Sequence, residues 1–390
     1  MLKRVYIDNY KCLVNFELAL QRTQLLLGAN GSGKSAVFDV LWRLRQVMTG
    51  ENRISEPVDP PFPSGSLTRW ELRNAQSFEL DVEGNGGTYQ YKLKVEHRPQ
   101  TRQSRITSET LSFNGGPLLA FVNGGITIYG EDHKVGATFP FDWGQSAFVT
   151  LAERDDNRLH RWFRDWVREL QVVCVNPFDM VSHTDQENAR LNANATNFVA
   201  WYRHLIQETY GLQELVRQSL QEVWEGFQGM RLETAGPNVK LLKVALKAPA
   251  AGMKDYEVAL GDLSDGQRVL LVLYTLLRFA GRTDEPGTGT GTETGERTPD
   301  SLICLDEPDN FVTLAEIQPW LISMCQAAED HESQILFISH HPELINYLAP
   351  QNAIVLSRPA GGPTRVMPFR ASPDSTMTPA EVIARGWEIE

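Results

Sequence analysis

The run Leu25-Leu26-Leu27-Gly28-Ala29-Asn30-Gly31-Ser32-Gly33-Lys34-Ser35 carries the densest chemistry in the chain. Three consecutive leucines read as a strand buried on both faces. The glycines after them free the backbone to curl its N–H groups around an anion where a helix begins. In the spacing G-x-x-x-x-G-K-[ST], Gly28 opens the loop, Asn30, Gly31, Ser32 and Gly33 line it, and Lys34 reaches the β- and γ-phosphates of a nucleoside triphosphate. The Ser35 hydroxyl then takes one position on Mg2+. The alternative is a tight strand-to-helix turn with a surface lysine. It leaves the joint occurrence of buried strand, loop spacing and following helix without a reason.

Two further apolar runs stop at polar residues. Leu302-Ile303-Cys304-Leu305 ends in Asp306-Glu307-Pro308, and Ile335-Leu336-Phe337-Ile338 ends in Ser339-His340-His341-Pro342. Ligands of open parallel sheets collect at the carboxyl ends of strands, so the three strand ends are expected to converge on one nucleotide. Asp306 would hold Mg2+, directly or through water, and Glu307 would orient or deprotonate the attacking water. His340 would hydrogen-bond the γ-phosphate or that water. His341 should point elsewhere, because adjacent strand residues face opposite ways. Without a nucleotide, the carboxylates would cap the next helix and His340 would be structural. A fourth element, Asp262-Leu263-Ser264-Asp265-Gly266-Gln267-Arg268, precedes the apolar Val269 to Leu277. Ser264 is a good N-cap, so this stretch opens a buried helix and presents a second anion-attracting helix start.

Strands are expected at Leu2 to Ile7, Val14 to Leu20 and Gln24 to Leu27, and the helix after Lys34 should end near Gly50. Beyond Pro57 to Pro63, alternation predicts an antiparallel meander. Phe78 to Val82 and Tyr89 to Val95 flank Gly84-Asn85-Gly86-Gly87, and strands follow at Thr110 to Phe113, Leu118 to Val122 and Ile126 to Tyr129. From about Ala147 the spacing turns helical, with helices at Leu159 to Leu170, Thr196 to Glu208 and Leu212 to Phe227, and a short strand at Val172 to Val175. Residues 238–260 return to β. Thr283 to Asp300, rich in Gly, Thr, Glu and Pro, reads as a mobile loop. Pro319 is placed in the first turn of a helix whose inner face is Trp320, Leu321, Met324, Cys325 and Ala328. A short helix closes the chain at Thr378 to Arg385.

The chain of 390 residues exceeds the usual limit of a single core, and 42% apolar residues are ample to build one. Four cysteines, Cys12, Cys174, Cys304 and Cys325, lack C-x-x-C spacing, which fits reduced packing thiols rather than disulfides or zinc. With no signal-like or membrane-length apolar run, a soluble, cytoplasmic protein without a membrane partner is expected. A net charge of −12 repels nucleic acid on average. Binding DNA would require a local groove built from Lys92, Lys94, His97, Arg98, Arg102 and Arg105, or from Arg154, Arg158, Arg161, Arg164 and Arg168. A solvated face balanced by nearby Asp and Glu accounts for either cluster.

Gly28 to Ser35, Leu263 to Gln267, Leu302 to Pro308 and His340, in that order, resemble the nucleotide-binding domain of ATP-binding-cassette ATPases. The opening Tyr6 to Leu20 and the antiparallel insertion look like the RecF, OLD-nuclease and chromosome-maintenance branch. So does the lack of a coiled-coil arm. The chain is most similar to that branch's stand-alone ATPases, which often act beside a nuclease or toxin in antiphage systems such as Septu. The resemblance implies an α/β P-loop NTPase of ABC-head type, a mixed sheet with an antiparallel β insertion and a helical lobe. Its parts would be a nucleotide-binding lobe at 1–146, a helical lobe at 147–260, a C-terminal ATPase lobe at 261–360 and a tail at 361–390.

The same resemblance implies ATP and Mg2+ as cofactors, and a homodimer. Ser264 and Gly266 of one subunit, with Gln267 beside them, would contact the γ-phosphate held by Gly33, Lys34 and Ser35 of the other. Gln145 is the candidate for the family's magnesium-sensing glutamine. Two departures stand out: Asp265 replaces the first glycine of the commonest signature, and Phe311-Val312-Thr313-Leu314 lacks the Leu-His-Pro often found after the carboxylate pair. The leading function is an ATP-hydrolysing dimeric switch that controls an effector such as a nuclease or toxin. A DNA repair or replication ATPase is the alternative, and a binding-only scaffold is disfavoured by the intact Asp306-Glu307 pair.

Overall fold

The computed structural model describes residues 1–151, 157–250, 252–280, 301–331, 333–370 and 377–386. The chain divides into two compact units. One holds Met1–Leu170 and the chain from Leu348 onward, and the other holds most of the described residues between Gln171 and Tyr347. The loop expected at Thr283 to Asp300 lies outside the described residues.

In the first unit, β1 (Leu2–Asp8) and β2 (Phe16–Ala19) pair antiparallel. The buried β3 (Thr23–Leu27) delivers the glycine loop to α1 (Lys34–Thr49), which stops at Gly50 with φ 77°. The meander follows as β4 (Ala75–Gly84), β5 (Gly87–Arg98), β6 (Gln103–Phe113), β7 (Gly116–Val122), β8 (Gly125–Tyr129) and β9 (Val135–Pro140). Between β4 and β5 the turn is Asn85-Gly86, both residues left-handed, as a two-residue hairpin with matching twist requires. α2 (Arg158–Arg168) buries Phe163 and Trp166, and its Trp162 stacks on Tyr89 at 5.0 Å. Glu109 of β6 is fully buried and ties the meander to the turn that precedes α2. It accepts from the Tyr91 hydroxyl at 2.8 Å, Ser146 Oγ at 2.6 Å and the Ala147 N–H at 2.6 Å.

The second unit runs through β10 (Gln171–Val173), β11 (His183–Thr184), α3 (Phe198–Glu208), α4 (Leu212–Val223), β12 (Phe227–Thr234), β13 (Lys240–Leu246) and β14 (Tyr256–Ala259). Then come α5 (Asp265–Ala280), β15 (Leu302–Asp306), α6 (Leu314–Asp330) and β16 (Gln334–Ile338). β10 and β15 are parallel, with Val172 opposite Cys304, and β16 is the next strand in the sheet. α5 is buried on nearly every side, as an all-round apolar helix must be. Its Leu273 carbonyl accepts from Trp320 Nε1 of α6 at 2.9 Å. α7 (Pro342–Asn352) returns the chain to the first unit, where β17 (Ala353–Ser357) lies parallel to β3 and antiparallel to β18 (Arg365–Pro368). α8 (Pro379–Ala384) starts on a Thr378–Glu381 capping box.

The antiparallel insertion is present and extends the N-terminal hairpin: β1 pairs β4, with Val5 opposite Leu80, so the two form one eight-stranded sheet. Several expectations about other elements are corrected. β9 was not anticipated, because all its residues are exposed and leave no alternation to read. α4 ends at Val223 rather than Phe227; Phe227 opens a strand after Gly226, whose φ is 82°. α6 starts a turn earlier than its proline suggests, on a Thr313–Glu316 capping box, so Pro319 lies in its second turn. Its inner face is as expected. Cys174 is exposed, whereas Cys12, Cys304 and Cys325 are buried.

His97 is removed from the basic cluster that contained it. It shares the inward face of β5 with Tyr89, Tyr91, Leu93 and Val95, and is 2% exposed. Its Nε2 meets Gln76 Oε1 at 2.9 Å and its Nδ1 meets Ser104 Oγ at 3.0 Å. Gln76 Nε2 already donates to the Asn9 carbonyl, so Oε1 is the acceptor and the neutral ring carries its proton on Nε2. Burial lowers the ring to about 4 from 6.5. A histidine depressed in the folded state stabilises above its unfolded value, and that stability is lost as pH falls through the interval. Melting followed from pH 7 to pH 4 should therefore show a loss of about 3 kcal/mol that His97→Gln removes from the pH profile.

Candidate nucleotide site

The phosphate loop leaves β3 at Gly28, where φ is 140° and a Cβ would run into the Leu356 carbonyl of β17. Only glycine fits. Gly33, at φ 103°, is the N-cap of α1. Lys34 is 6% exposed and turns back into the loop, its Nζ donating to Gly28 O at 2.6 Å and Ala29 O at 3.2 Å. Ser32 Oγ is buried with no hydrogen-bond partner. Asn30, Gly31 and Ser35 are exposed. An ammonium and an orphaned hydroxyl, enclosed by a loop at a helix start, fit a polyphosphate. The Ser35 hydroxyl and the Asp306 carboxylate are hard oxygen donors of the kind Mg2+ takes.

A brace from the C-terminal segment holds this loop. Thr364, 1% exposed, donates through Oγ1 to Ser32 O at 2.8 Å, and its N–H donates to Cys12 O at 3.0 Å. The first bond fixes the Ser32–Gly33 peptide, and with it the direction of the Gly33 N–H. Thr364→Val keeps the shape but leaves a buried carbonyl unpaired, a cost of about 1–3 kcal/mol. If that cost falls on the nucleotide-ready loop, calorimetric titration should show ATP affinity weakened about tenfold with kcat little changed, and Thr364→Ser should restore it.

In the second unit, two of the predicted strand ends are joined. The Glu307 N–H donates to Ile338 O at 2.8 Å, which links the end of β15 to the end of β16. Glu307 is left-handed, with φ 49°, an uncommon conformation for a residue with a side chain. Its Oε2 accepts from Asn310 Nδ2 at 2.7 Å. His340 is exposed and makes no hydrogen bond among the described residues. His341 turns away as expected: its Nδ1 accepts from the Glu343 N–H at 3.2 Å in the first turn of α7. Ser339 Oγ accepts from the His341 N–H at 2.9 Å and donates to Asp309 Oδ1 at 2.7 Å. Cys174 reaches solvent, yet desolvation and the Asp306 and Glu307 charges push its thiol to about 11.

The helix start at Ser264 is a reciprocal cap. Ser264 Oγ accepts from the Gln267 N–H at 3.3 Å, and Gln267 Oε1 accepts from the Ser264 N–H at 3.0 Å. Gly266 is required by close approach, since a Cβ there would lie 2.5 Å from Phe311 O. Asp265 Oδ1 lies 3.7 Å from Arg268 Nη2 on the same helix. Arg268 also donates to Pro177 O at 2.7 Å and to Leu263 O at 3.1 Å, clamping the start of α5.

Residues 25–195 match the family described as "AAA domain, putative AbiEii toxin, Type IV TA system". Among solved structures, the Smc head bound to the C-winged helix domain of ScpA aligns at a TM-score of 0.54 and 12% identity, covering 94% of this chain and 98% of that one. An Smc head domain with an extended coiled coil, bound to the C-terminal domain of ScpA and derived from Pyrococcus furiosus, aligns at 0.50 and 12% identity. It covers 94% of this chain and 96% of that one. This is the ABC-type ATPase head fold. Comparison with curated proteins finds no match.

Within the head fold, Gln145 does not take the place expected of it. Its neighbour Gly144 accepts from the Ser55 N–H, and the turn Ala147–Thr150 packs at the Gly50 end of α1, with Val149 3.0 Å from a Cβ built on Gly50. At about 1.5 Å per residue, α1 separates that end from Ser35 by some 20 Å, so Gln145 is not a ligand of an ion on Ser35. The basic clusters of the head are largely balanced by acids. Arg105 pairs with Glu96 at 2.6 Å, Arg158 with Glu131 at 3.1 Å and Arg168 with Asp165 at 3.1 Å. Arg154 lies outside the described residues. Sequence reasoning missed Thr364, Asn310, Asp309 and Ser339, whose contacts depend on tertiary placement. The polar residues after Glu307 and before His340 were the only local signal.

Proposed function

We propose that the chain binds ATP with Mg2+ and hydrolyses it, and that the same nucleotide is served by the loop Gly28–Ser35 and by Asp306, Glu307 and His340. Ser35 and Asp306 would hold Mg2+, which when bound neutralises charge on the phosphate oxygens. Lys34 leaves its loop carbonyls for the β- and γ-phosphates. Glu307 takes the proton of the attacking water, and His340 hydrogen-bonds the γ-phosphate. Support comes chiefly from Glu307: its backbone is held in a left-handed conformation on Ile338 O, and Asn310 donates to its carboxylate, at a strand end that exposed His340 follows two residues after Ile338.

ATP is proposed to join two copies of the chain. Ser264 and Gly266 of one copy, at an exposed and capped helix start, would meet the phosphate held by the other. Hydrolysis would then release an effector of the nuclease or toxin kind, in antiphage defence. No observation favours a DNA groove. Phosphate release from ATP, with light scattering with and without ATP, tests this directly. Turnover together with an ATP-dependent doubling of mass is expected, and neither appearing would refute it.

A further inference from the structure

Arg358 follows β17 and reaches the phosphate loop, with Nη1 3.4 Å from Gly31 O. Its Nε donates to Gly362 O and its Nη2 to Gly361 O, each at 2.8 Å. Three main-chain carbonyls therefore set the plane of the guanidinium, and no carboxylate among the described residues is seen to pair with it. The indole of Trp70 lies against that plane, 5.4 Å from Cζ to the ring centroid. Trp70 is 44% exposed, and Leu72 beyond it is 98% exposed. Tryptophan favours an apolar body with one wet edge, and a cation on its face holds the ring in place. An open aromatic platform thus stands on a fixed cation at the edge of the loop that would carry phosphates. A nucleotide joins a planar aromatic ring to a phosphate chain at short range, which matches this pairing of platform and loop.

We infer that Trp70 and Arg358 form the nucleobase subsite, with the base stacked on the indole–guanidinium pair while Gly31 to Ser35 hold the phosphates. This rests on the nucleotide reading of that loop. Arg358, bonded to Gly31 O, also couples base contact to the loop itself. Inorganic tripolyphosphate with Mg2+ is the control ligand, since it has the phosphates and lacks the base.

Calorimetric titration of full-length wild type, Trp70→Ala, Trp70→Phe and Lys34→Ala with each ligand separates the contributions. Trp70→Ala should weaken ATP about 10–100-fold and leave tripolyphosphate within about twofold, and Trp70→Phe should recover most of the loss. Trp70→Ala binding ATP like wild type would overturn the subsite, as would equal loss of both ligands or wild type binding both ligands equally. Wild type binding neither ligand would instead overturn the nucleotide reading of the loop.

Discussion

Glu307→Gln is expected to cut phosphate release by about 10²–10⁴-fold while ATP affinity stays close to that of wild type. The amide keeps the shape of the carboxylate and can still accept from Asn310 Nδ2, so the 2.7 Å contact and the left-handed backbone survive. What it loses is the ability to take a proton. With hydrolysis blocked, the ATP-joined pair should accumulate and elute at twice the protomer mass. Loss of ATP binding in this variant would mean that Glu307 supports the loop rather than the chemistry. Unchanged turnover would remove it from the mechanism.

Lys34→Ala should lose both binding and turnover, with kcat/KM reduced about 10²–10³-fold or more, because no other cation lies within the loop to meet the β- and γ-phosphates. The lysine is almost fully buried against Gly28 O and Ala29 O, so its removal leaves those carbonyls without their ammonium. Lys34→Met, which fills the same space without charge, separates the electrostatic loss from any collapse of the loop. Equal defects in both variants are expected. Fluorescence titration with a nucleotide analogue and phosphate release measure the two losses side by side.

The glycine loop was legible because its signal is local: spacing alone predicts a turn between a buried strand and a helix, and the chain forms it between β3 and α1 with Lys34 folded back onto Gly28 O. The strand ends were legible for a related reason, since a run buried on both faces must stop where polar residues begin. Tertiary partners were not. Thr364 meets Ser32 across a sequence separation of 332 residues, and Arg358 to Thr364 reads as nothing more than a turn. Gln145 was misplaced because its loop is positioned by Gly144 and Ser55, which no periodicity reveals. His97 could have been found, since it falls on the same alternation as Tyr89 to Val95, but the basic residues around it masked that signal. β9 carries no alternation at all, and a strand exposed on both faces has none to show.

Two inactive proteins mixed in one tube test the central claim most directly. If Lys34 and Glu307 of one chain act on the same nucleotide and Ser264 comes from the other copy, mixing Lys34→Ala with Ser264→Arg creates heterodimers with one intact site. ATP hydrolysis should reappear. Mixing Lys34→Ala with Glu307→Gln leaves no intact site, and the mixture should stay inactive. Recovery in the second mixture, or none in the first, would contradict a shared site built in this way.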